Sequence, residues 1–106
     1  ARNIVITGAI TSNGEAGDAS AEEAGNGGGS GGSILLCGEN VTLGSNLVTA
    51  TGGAGSAGTS NTGGNGSVGR IAVHYGRSIS GTTNPTATTQ QDDDMNILSP
   101  SAYFLE

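Results

Sequence analysis

A glycine-spaced pattern occurs twice in this chain, 37 residues apart, and each copy leads directly into an alternating apolar segment. The glycines of the two copies are Gly27, Gly29 and Gly32, then Gly64, Gly66 and Gly69. The same offset places three apolar residues on three others: Ile4 on Val41, Ile6 on Leu43 and Ile10 on Leu47. Self-similarity at a fixed period of roughly 20–50 residues is typical of proteins built from stacked repeats. The sequence therefore predicts a repeat protein with units of about residues 4–40 and 41–77.

Apolar alternation predicts that the regular parts of each unit are strands. In the segment 70–75, Ile71, Val73 and Tyr75 fall on one face, and Arg70, Ala72 and His74 fall on the other. Short strands are also expected at 4–6, 41–43 and 47–50 and near Ile10. Six residues are predicted to point into the core: Ile34, Leu36, Val41, Leu43, Ile71 and Val73.

Glycine is concentrated between the predicted strands, because 16 of the 21 glycines lie within residues 14–32 and 52–69. Loops this long are uncommon unless they serve a function or pack on themselves. Both copies keep the same glycine spacing, so we expect ordered, extended segments lying side by side; the alternative is a flexible linker. We also expect Gly29 and Gly66 to tolerate alanine less well than Gly55 or Gly58. The predicted fold class is all-β, a short β-solenoid-like or sandwich-like stack of about two 37-residue repeats with long glycine-rich loops.

Composition limits both the core and the partners of this 106-residue chain. Hydrophobic residues make up 33% and only three residues are aromatic, so the core is thin and needs help from backbone hydrogen bonds, ions or other copies. The formal net charge is −6, with Arg2, Arg70 and Arg77 as the permanent cations, which argues against nucleic acid and anionic membranes as partners. No segment approaches the roughly 20 apolar residues of a membrane span, and none has the basic-then-apolar pattern of a signal peptide.

The chain changes character after Gly81, which divides it into a repeat domain, residues 1–81, and a Thr/Asp-rich segment with an apolar tail, residues 82–106. Five large apolar side chains occur within nine residues of that tail: Ile97, Leu98, Tyr103, Phe104 and Leu105. Their exposure to water is costly, so we expect them to be buried against a neighbouring chain or against an end of the chain's own stack. We assign them to self-assembly, and we expect Pro100 to divide the tail into two short pieces.

Acidic residues supply the main candidate metal site in the sequence, and Asp18 with Glu22 and Glu23 is a weaker version of the same idea. Asp92, Asp93 and Asp94 offer hard oxygen ligands of the kind that Ca²⁺ prefers. They lack the ligand spacing of an EF-hand, and a solvated run of charge is the competing interpretation. No other cofactor is expected.

The remaining motifs do not favour catalysis, and we do not expect an enzyme. The repeated GxGxxG spacing matches a dinucleotide-binding fingerprint, but that fingerprint needs a helix after its glycines and here a strand follows. His74 is the only histidine and has no nucleophile at a recognisable spacing, so a surface or interface role is favoured. Cys37 is expected to be a small buried apolar residue or to form an intermolecular disulfide. Asn40 and Asn65 begin acceptor patterns for N-linked glycans.

Three stretches resemble the glycine-rich repeats of large bacterial surface and extracellular proteins: GGSGGSI at 28–34, ATGG at 50–53 and GSVGRIAVHY at 66–75. The resemblance covers about residues 27–81, and its most specific part is the Arg-Ile-Ala-Val alternation that follows the glycines. It implies a β-rich structural or adhesive part, an extracellular or cell-surface location, and no catalytic residues.

Two functions follow as hypotheses. The first is an extracellular structural or adhesive protein, a self-assembling subunit of a fibre or surface layer whose partner is itself. A stack of about two repeats leaves both ends open, whereas such arrays normally need about three units and polar caps. The alternative is a carbohydrate- or ice-binding β module of a larger surface protein, with glycans as partners.

Overall fold

The computed structural model describes residues 2–19 and 21–92, and within these ranges the chain is all-β. The strands are β1 (Asn3–Val5), β2 (Ile10–Thr11), β3 (Ser33–Thr49), β4 (Arg70–Asn84) and β5 (Thr88–Gln91). The described residues form no helix, so they contain none that is long and apolar enough to cross a membrane. The expectation of an all-β chain is confirmed.

All strand pairs are parallel, and the strands form one open sheet in the order β1, β3, β4, β5, with β2 also paired to β3. Ile4 pairs with Val41, and Ile34 pairs with Ile71, so these neighbours stand 37 positions apart as the sequence offset predicts. Ile10 departs from the prediction because it pairs with Val48 and not with Leu47. The extra residue is taken up in β3 near a corner where Gly44 has a φ of 76° and Asn46 a φ of 52°.

The short strands predicted at 41–43 and 47–50 are not separate, because β3 runs through both as one strand of 17 residues. Its partner β4 has 15 residues, and the register between the two shifts at three places, each marking a bulge or irregularity. Bulges bend strands without ending them. The sequence pattern divided β3 because glycines and polar residues at these bends interrupt the apolar alternation.

The bends fold β4 back on itself. The Gly69 amide, just before β4, donates to the Ala50 carbonyl at 2.7 Å, and the Ala50 amide donates to the carbonyl of Asn84, the last residue of β4, at 2.9 Å. A straight strand of this length would separate its ends by about 50 Å. One corner is at Gly81, whose φ of 100° only glycine adopts readily, beside Gly44 of β3. The two halves of each long strand therefore face one another across the core.

The core lies between these halves. Its buried residues are Ile6, Val41, Leu43, Val48, Ala50, Ile71 and Val73. Of the six residues predicted to point inward, Val41, Leu43, Ile71 and Val73 are at most 2% exposed, and Ile34 and Leu36 are partly buried against them. The core assignment is therefore confirmed.

The predicted domain boundary at Gly81 stays a prediction. β4 continues through Gly81 to Asn84, and β5 returns to pair with the first half of β4, where Thr88 stands beside Ala72. Residues 82–84 therefore complete β4, and residues 88–91 add a further parallel strand to the same sheet.

The glycine-rich stretches form a packed bundle of four extended segments, which we call the glycine bundle: residues 12–18, 26–32, 50–56 and 63–69. The Gly29 amide donates to the Glu15 carbonyl, the Gly53 amide to the Gly29 carbonyl, and the Gly66 amide to the Gly53 carbonyl, each at 2.8 Å. Within one segment the donors recur at every third residue: Gly63, Gly66 and Gly69. That spacing is typical of an extended helix with three residues per turn. The expectation of ordered segments lying side by side is confirmed.

The predicted ranking of glycine tolerance is wrong in part. A side-chain carbon at Gly66, Gly55 or Gly58 would come within 3.0 Å of main-chain atoms, whereas at Gly29 the nearest atom would be the Glu15 nitrogen at 3.3 Å. Gly55 and Gly58 are therefore as tightly enclosed as Gly66, and Gly29 is the most open of the four. The identical spacing of Gly29 and Gly66 misled the prediction, because each glycine's surroundings depend on which segment packs against it.

Candidate functional site

A row of charged side chains crosses three strands at the bend between the two halves of the sheet. Glu39 is 2% exposed, and its two carboxylate oxygens contact Arg2 Nε and Arg77 Nε, each at 3.1 Å. The arginines precede β1 and lie in β4, and their side chains are 66% and 60% exposed. A carboxylate shielded from water is thus compensated by one cation from each neighbouring strand.

A neutral row runs beside the charged one. The Asn40 side-chain amide donates to Asn3 Oδ1 at 2.9 Å, and the Ser78 hydroxyl donates to Asn40 Oδ1 at 2.9 Å. The potential glycan acceptor at Asn40 is therefore held between two strands. The other acceptor, Asn65, receives a hydrogen bond on Oδ1 from the Gly55 amide at 2.9 Å. The charged row and the neutral row of Asn3, Asn40 and Ser78 therefore both connect neighbouring strands across the sheet.

The charged row predicts an asymmetric response to substitution, because only Glu39 is buried. We expect the double replacement Arg2→Met with Arg77→Met to reduce the free energy of unfolding by at least about 2 kcal/mol, since it leaves a buried carboxylate without compensation. Glu39→Gln should cost less than about 1 kcal/mol, because both arginines can be hydrated where they stand. Urea unfolding followed by circular dichroism measures both. Adding Glu39→Gln to the double variant should restore most of the loss, and a Glu39→Gln cost equal to that of the double variant would contradict this account.

A trough, which we call the edge trough, opens beside the second half of β4. Its volume is about 210 Å³, and its apolar lining comes from Leu43, Ile79 and Ala87, with Gly81 and several threonines completing the walls. Thr89 of β5 also borders it, but β5 pairs only with residues 72–75 of β4, so the trough lies beside a part of β4 with which β5 does not pair. Residues 78–84 of β4 pair with β3 on one side. On their other side, no strand within the described part of the chain pairs with them.

Both outer strands of the described sheet carry an open edge. β1 and β2 pair only with β3, and β5 pairs only with β4. All four residues of β5 are exposed. The Asp92 amide donates inward to the Tyr75 carbonyl at 2.8 Å, and amide direction alternates along a strand, so the amides of Thr89 and Gln91 point outward.

The candidate Ca²⁺ ligands are only partly described. Asp92 follows β5 and is half-buried, while Asp93 and Asp94 lie outside the described residues. Within residues 2–19 and 21–92 no cluster of three or more metal-ligating side chains is found. The five apolar residues assigned to self-assembly, Ile97, Leu98, Tyr103, Phe104 and Leu105, also lie outside the described residues.

His74 and Cys37 stand side by side on adjacent strands, paired in the β3–β4 register. Both are half-buried, and Cys37 is a free thiol. Cys37 is therefore buried only in part, because position 37 belongs to the face of β3 that carries the exposed Leu35, and the alternative of an intermolecular disulfide stays a prediction. Sequence reasoning missed the Glu39 row, although the 37-residue offset already placed Arg2 on Glu39.

No protein-family model matches this chain, and no curated protein or solved structure is detectably similar to it.

Proposed function

We propose that this chain is a structural subunit of an extracellular fibre or surface layer, in which copies add edge to edge as successive coils of a β-solenoid built from 37-residue repeats. The observation that supports this most is the parallel pairing of strands 37 residues apart, together with edges at β1, β2 and β5 that no other strand of the described residues covers. A second copy can extend that ladder by the same pairing that joins β3 to β4. The extracellular setting rests on the resemblance to glycine-rich surface repeats.

The unpaired backbone groups of the outer strands favour the addition of further copies. Unpaired edge strands present rows of amide and carbonyl groups that act as templates for another chain. The edge here lacks the lysines and prolines that proteins use to block pairing, since the chain has no lysine and β5 reads Thr-Thr-Gln-Gln. Cross-strand rows such as Asn3, Asn40 and Ser78 provide polar side chains that a further strand can continue.

A proline in the edge strand tests the proposal. Thr89→Pro removes an outward amide while leaving the inward pairing of β5 intact, and edge strands tolerate proline at such positions. Light scattering of the wild type should give particles much larger than a monomer, and Thr89→Pro should give monomers. Thr89→Val is the matched control, because it keeps the amide and the shape of the side chain, and it should assemble like the wild type.

Two results would overturn the proposal: a wild type that stays monomeric at all concentrations, or a Thr89→Pro variant that assembles as the wild type does. A monomer that binds glycans or inhibits ice recrystallisation would instead favour the alternative, a carbohydrate- or ice-binding module.

A further inference from the structure

The two outer ends of the described sheet have complementary shapes. At one end, β1 and β2 pair with residues 40–42 and 48–49 of β3, and no described strand covers the first half of β3, residues 33–38, on that side. At the other end, β5 pairs with residues 72–75 in the first half of β4, and no described strand covers residues 78–84 there. Among the described residues, each end therefore carries a strand where the other end lacks one.

Inward-facing apolar side chains are only partly covered at both ends. Ile4 in β1, Ile34 in β3 and Ile79 in β4 pack against the core but are only partly buried. Val41, which has a paired strand on each side, is 1% exposed. Burial of apolar surface is worth about 25 cal/mol per Å², so a further strand over these positions is favourable.

The register of the sheet indicates which strand fits beside β4. Val41 pairs with Ile4 on one side and with Ile79 on the other, so β1 and the second half of β4 occupy equivalent places next to β3. A β1 strand from a second copy that keeps this register beside β4 brings its Ile4 next to Ile79 and its Val5 next to Ser80. That position coincides with the edge trough, whose lining includes Ile79 and Ser80.

Two rows of side chains continue in this register. Asn3, Asn40 and Ser78 form a hydrogen-bonded row within one copy, and Asn3 of the second copy comes next to Ser78. Ile6 of the second copy, one residue beyond β1, comes beside Gly81, at the part of the trough where β4 has no side chain of its own. The contact therefore extends both the polar and the apolar rows of the sheet.

Charge is balanced at the same contact. Arg2 of the second copy comes next to Arg77, and these like charges alone would oppose the contact. Asp92 follows β5, and its amide continues the pairing with β4, which places it beside Gly76, the residue before Arg77. The contact therefore brings one carboxylate to two guanidinium groups, in the same proportion as Glu39 to Arg2 and Arg77 within one copy.

We propose that the edge trough is filled by strand β1 of a second copy, so that β5 of one copy and β1 and β2 of the next lie end to end and complete one coil between them. β5 then meets the uncovered first half of β3 in that next copy, where Thr88 comes next to Leu35. This inference rests on the proposed assembly and adds which edges meet and in what register. The contact is head to tail, so each added copy leaves the same two ends free and the fibre keeps growing.

Disulfide trapping between two different chains tests the contact. In a Cys37→Ser background, one chain carries Val5→Cys and the other carries Ser80→Cys, at positions that are both exposed. The proposed register places these positions on neighbouring strands, about 4.8 Å apart and within the distance of about 7 Å that a disulfide requires. The chains are unfolded, mixed 1:1, refolded together, oxidised and weighed by mass spectrometry. We expect a disulfide-linked pair that contains one chain of each kind.

The geometry of a single copy supplies the first controls. Within one copy Val5 and Ser80 stand two strand spacings apart, about 9.6 Å, so the two replacements combined in one chain should give no disulfide inside that chain. Each variant alone should remain unlinked, because equivalent positions in successive copies are three spacings apart, about 14 Å.

Two further variants test the register and the chemistry. Ser78→Cys in place of Ser80→Cys lies two positions out of register, about 8 Å from Val5, and should link at least about tenfold more slowly. Val5→Cys and Thr42→Cys in one chain are neighbours in the observed register and should form a disulfide inside that chain, which verifies that oxidation reaches this face.

The outcomes separate this contact from assembly itself. Large particles in light scattering without the Val5–Ser80 disulfide would overturn the contact and leave the proposed assembly standing, whereas monomers would overturn both. Faster linkage through Ser78 than through Ser80 would overturn the register. A disulfide that forms only when the chain is shortened after Asp92 would show that residues 93–106 fill the trough in the full chain, and that result also overturns the contact.

Discussion

Replacing Ile71 by aspartate is expected to abolish folding. Ile71 is 1% exposed in the first half of β4 and is one of the largest fully buried side chains in the described part of the chain. The variant loses about 1.5–3 kcal/mol of apolar burial and must also bury an unpaired carboxylate, which costs several kcal/mol more. A chain of this size is stable by only about 5–15 kcal/mol, and here the core is small. Far-UV circular dichroism should show loss of the β signal, or the protein should be insoluble.

Two control variants test whether the effect comes from burying a charge at position 71. Val5→Asp introduces the same carboxylate on β1, where Val5 is 66% exposed, and should remain folded. Ile71→Val should cost only about 0.5–1.5 kcal/mol, because it removes one methylene from the same site. An Ile71→Asp variant with the wild-type urea midpoint would show that this face of β4 is not the core.

Replacing Gly66 by alanine is expected to destabilise the glycine bundle strongly. The new carbon would collide with the main-chain carbonyl of Gly29, which belongs to a neighbouring segment and is itself held by the Gly53 amide. Overpacking of this kind typically costs about 1–3 kcal/mol, and each backbone hydrogen bond that breaks adds about 1 kcal/mol. Every kcal/mol lost should lower the thermal midpoint by roughly 4–8 °C.

Gly64→Ala is the control, because a side-chain carbon at Gly64 meets nothing within 4 Å. Its φ is not in the left-handed region, so alanine should be neutral or should stabilise by about 0.4–1 kcal/mol through the unfolded state. Differential scanning calorimetry of the two variants decides the matter. Equal midpoints would mean that the segments do not pack as closely as the hydrogen bonds between them indicate.

The period of the sequence was enough to predict which strands are neighbours. Ile4 and Val41, or Ile34 and Ile71, pair as the offset requires, because parallel neighbours on one face of a sheet need the same kind of side chain in each strand. Alternation likewise predicted the buried positions Val41, Leu43, Ile71 and Val73, since side chains on a strand change face at every residue.

The sequence pattern did not predict the corners at which β3 and β4 bend. Alternation cannot reveal that β3 and β4 each remain one strand through their bulges, because the bends interrupt the period while the backbone pairing continues. For the same reason the sequence pattern predicted Leu47 as the partner of Ile10, whereas Ile10 pairs with Val48 in the structure. The candidate surfaces share this origin: the edge trough exists because β4 turns back at Gly81, and Glu39 is buried because the strands bend where Arg2 and Arg77 meet it.

Glycine content alone predicted where the extended segments lie, and tertiary structure decided which of those glycines are indispensable. Gly29 and Gly66 are 37 positions apart and share the same glycine spacing, yet a side-chain carbon at Gly66 would collide with the Gly29 carbonyl, whereas one at Gly29 would stay at least 3.3 Å from the main-chain atoms of Glu15. A glycine's tolerance depends on the atoms opposite its missing side chain, and those atoms belong to segments distant in sequence. The sequence by itself therefore determined the all-β class, the 37-residue spacing of most paired residues and the inward face, whereas the folding back of each strand decided the strand bounds, the corners, the trough and the close contacts.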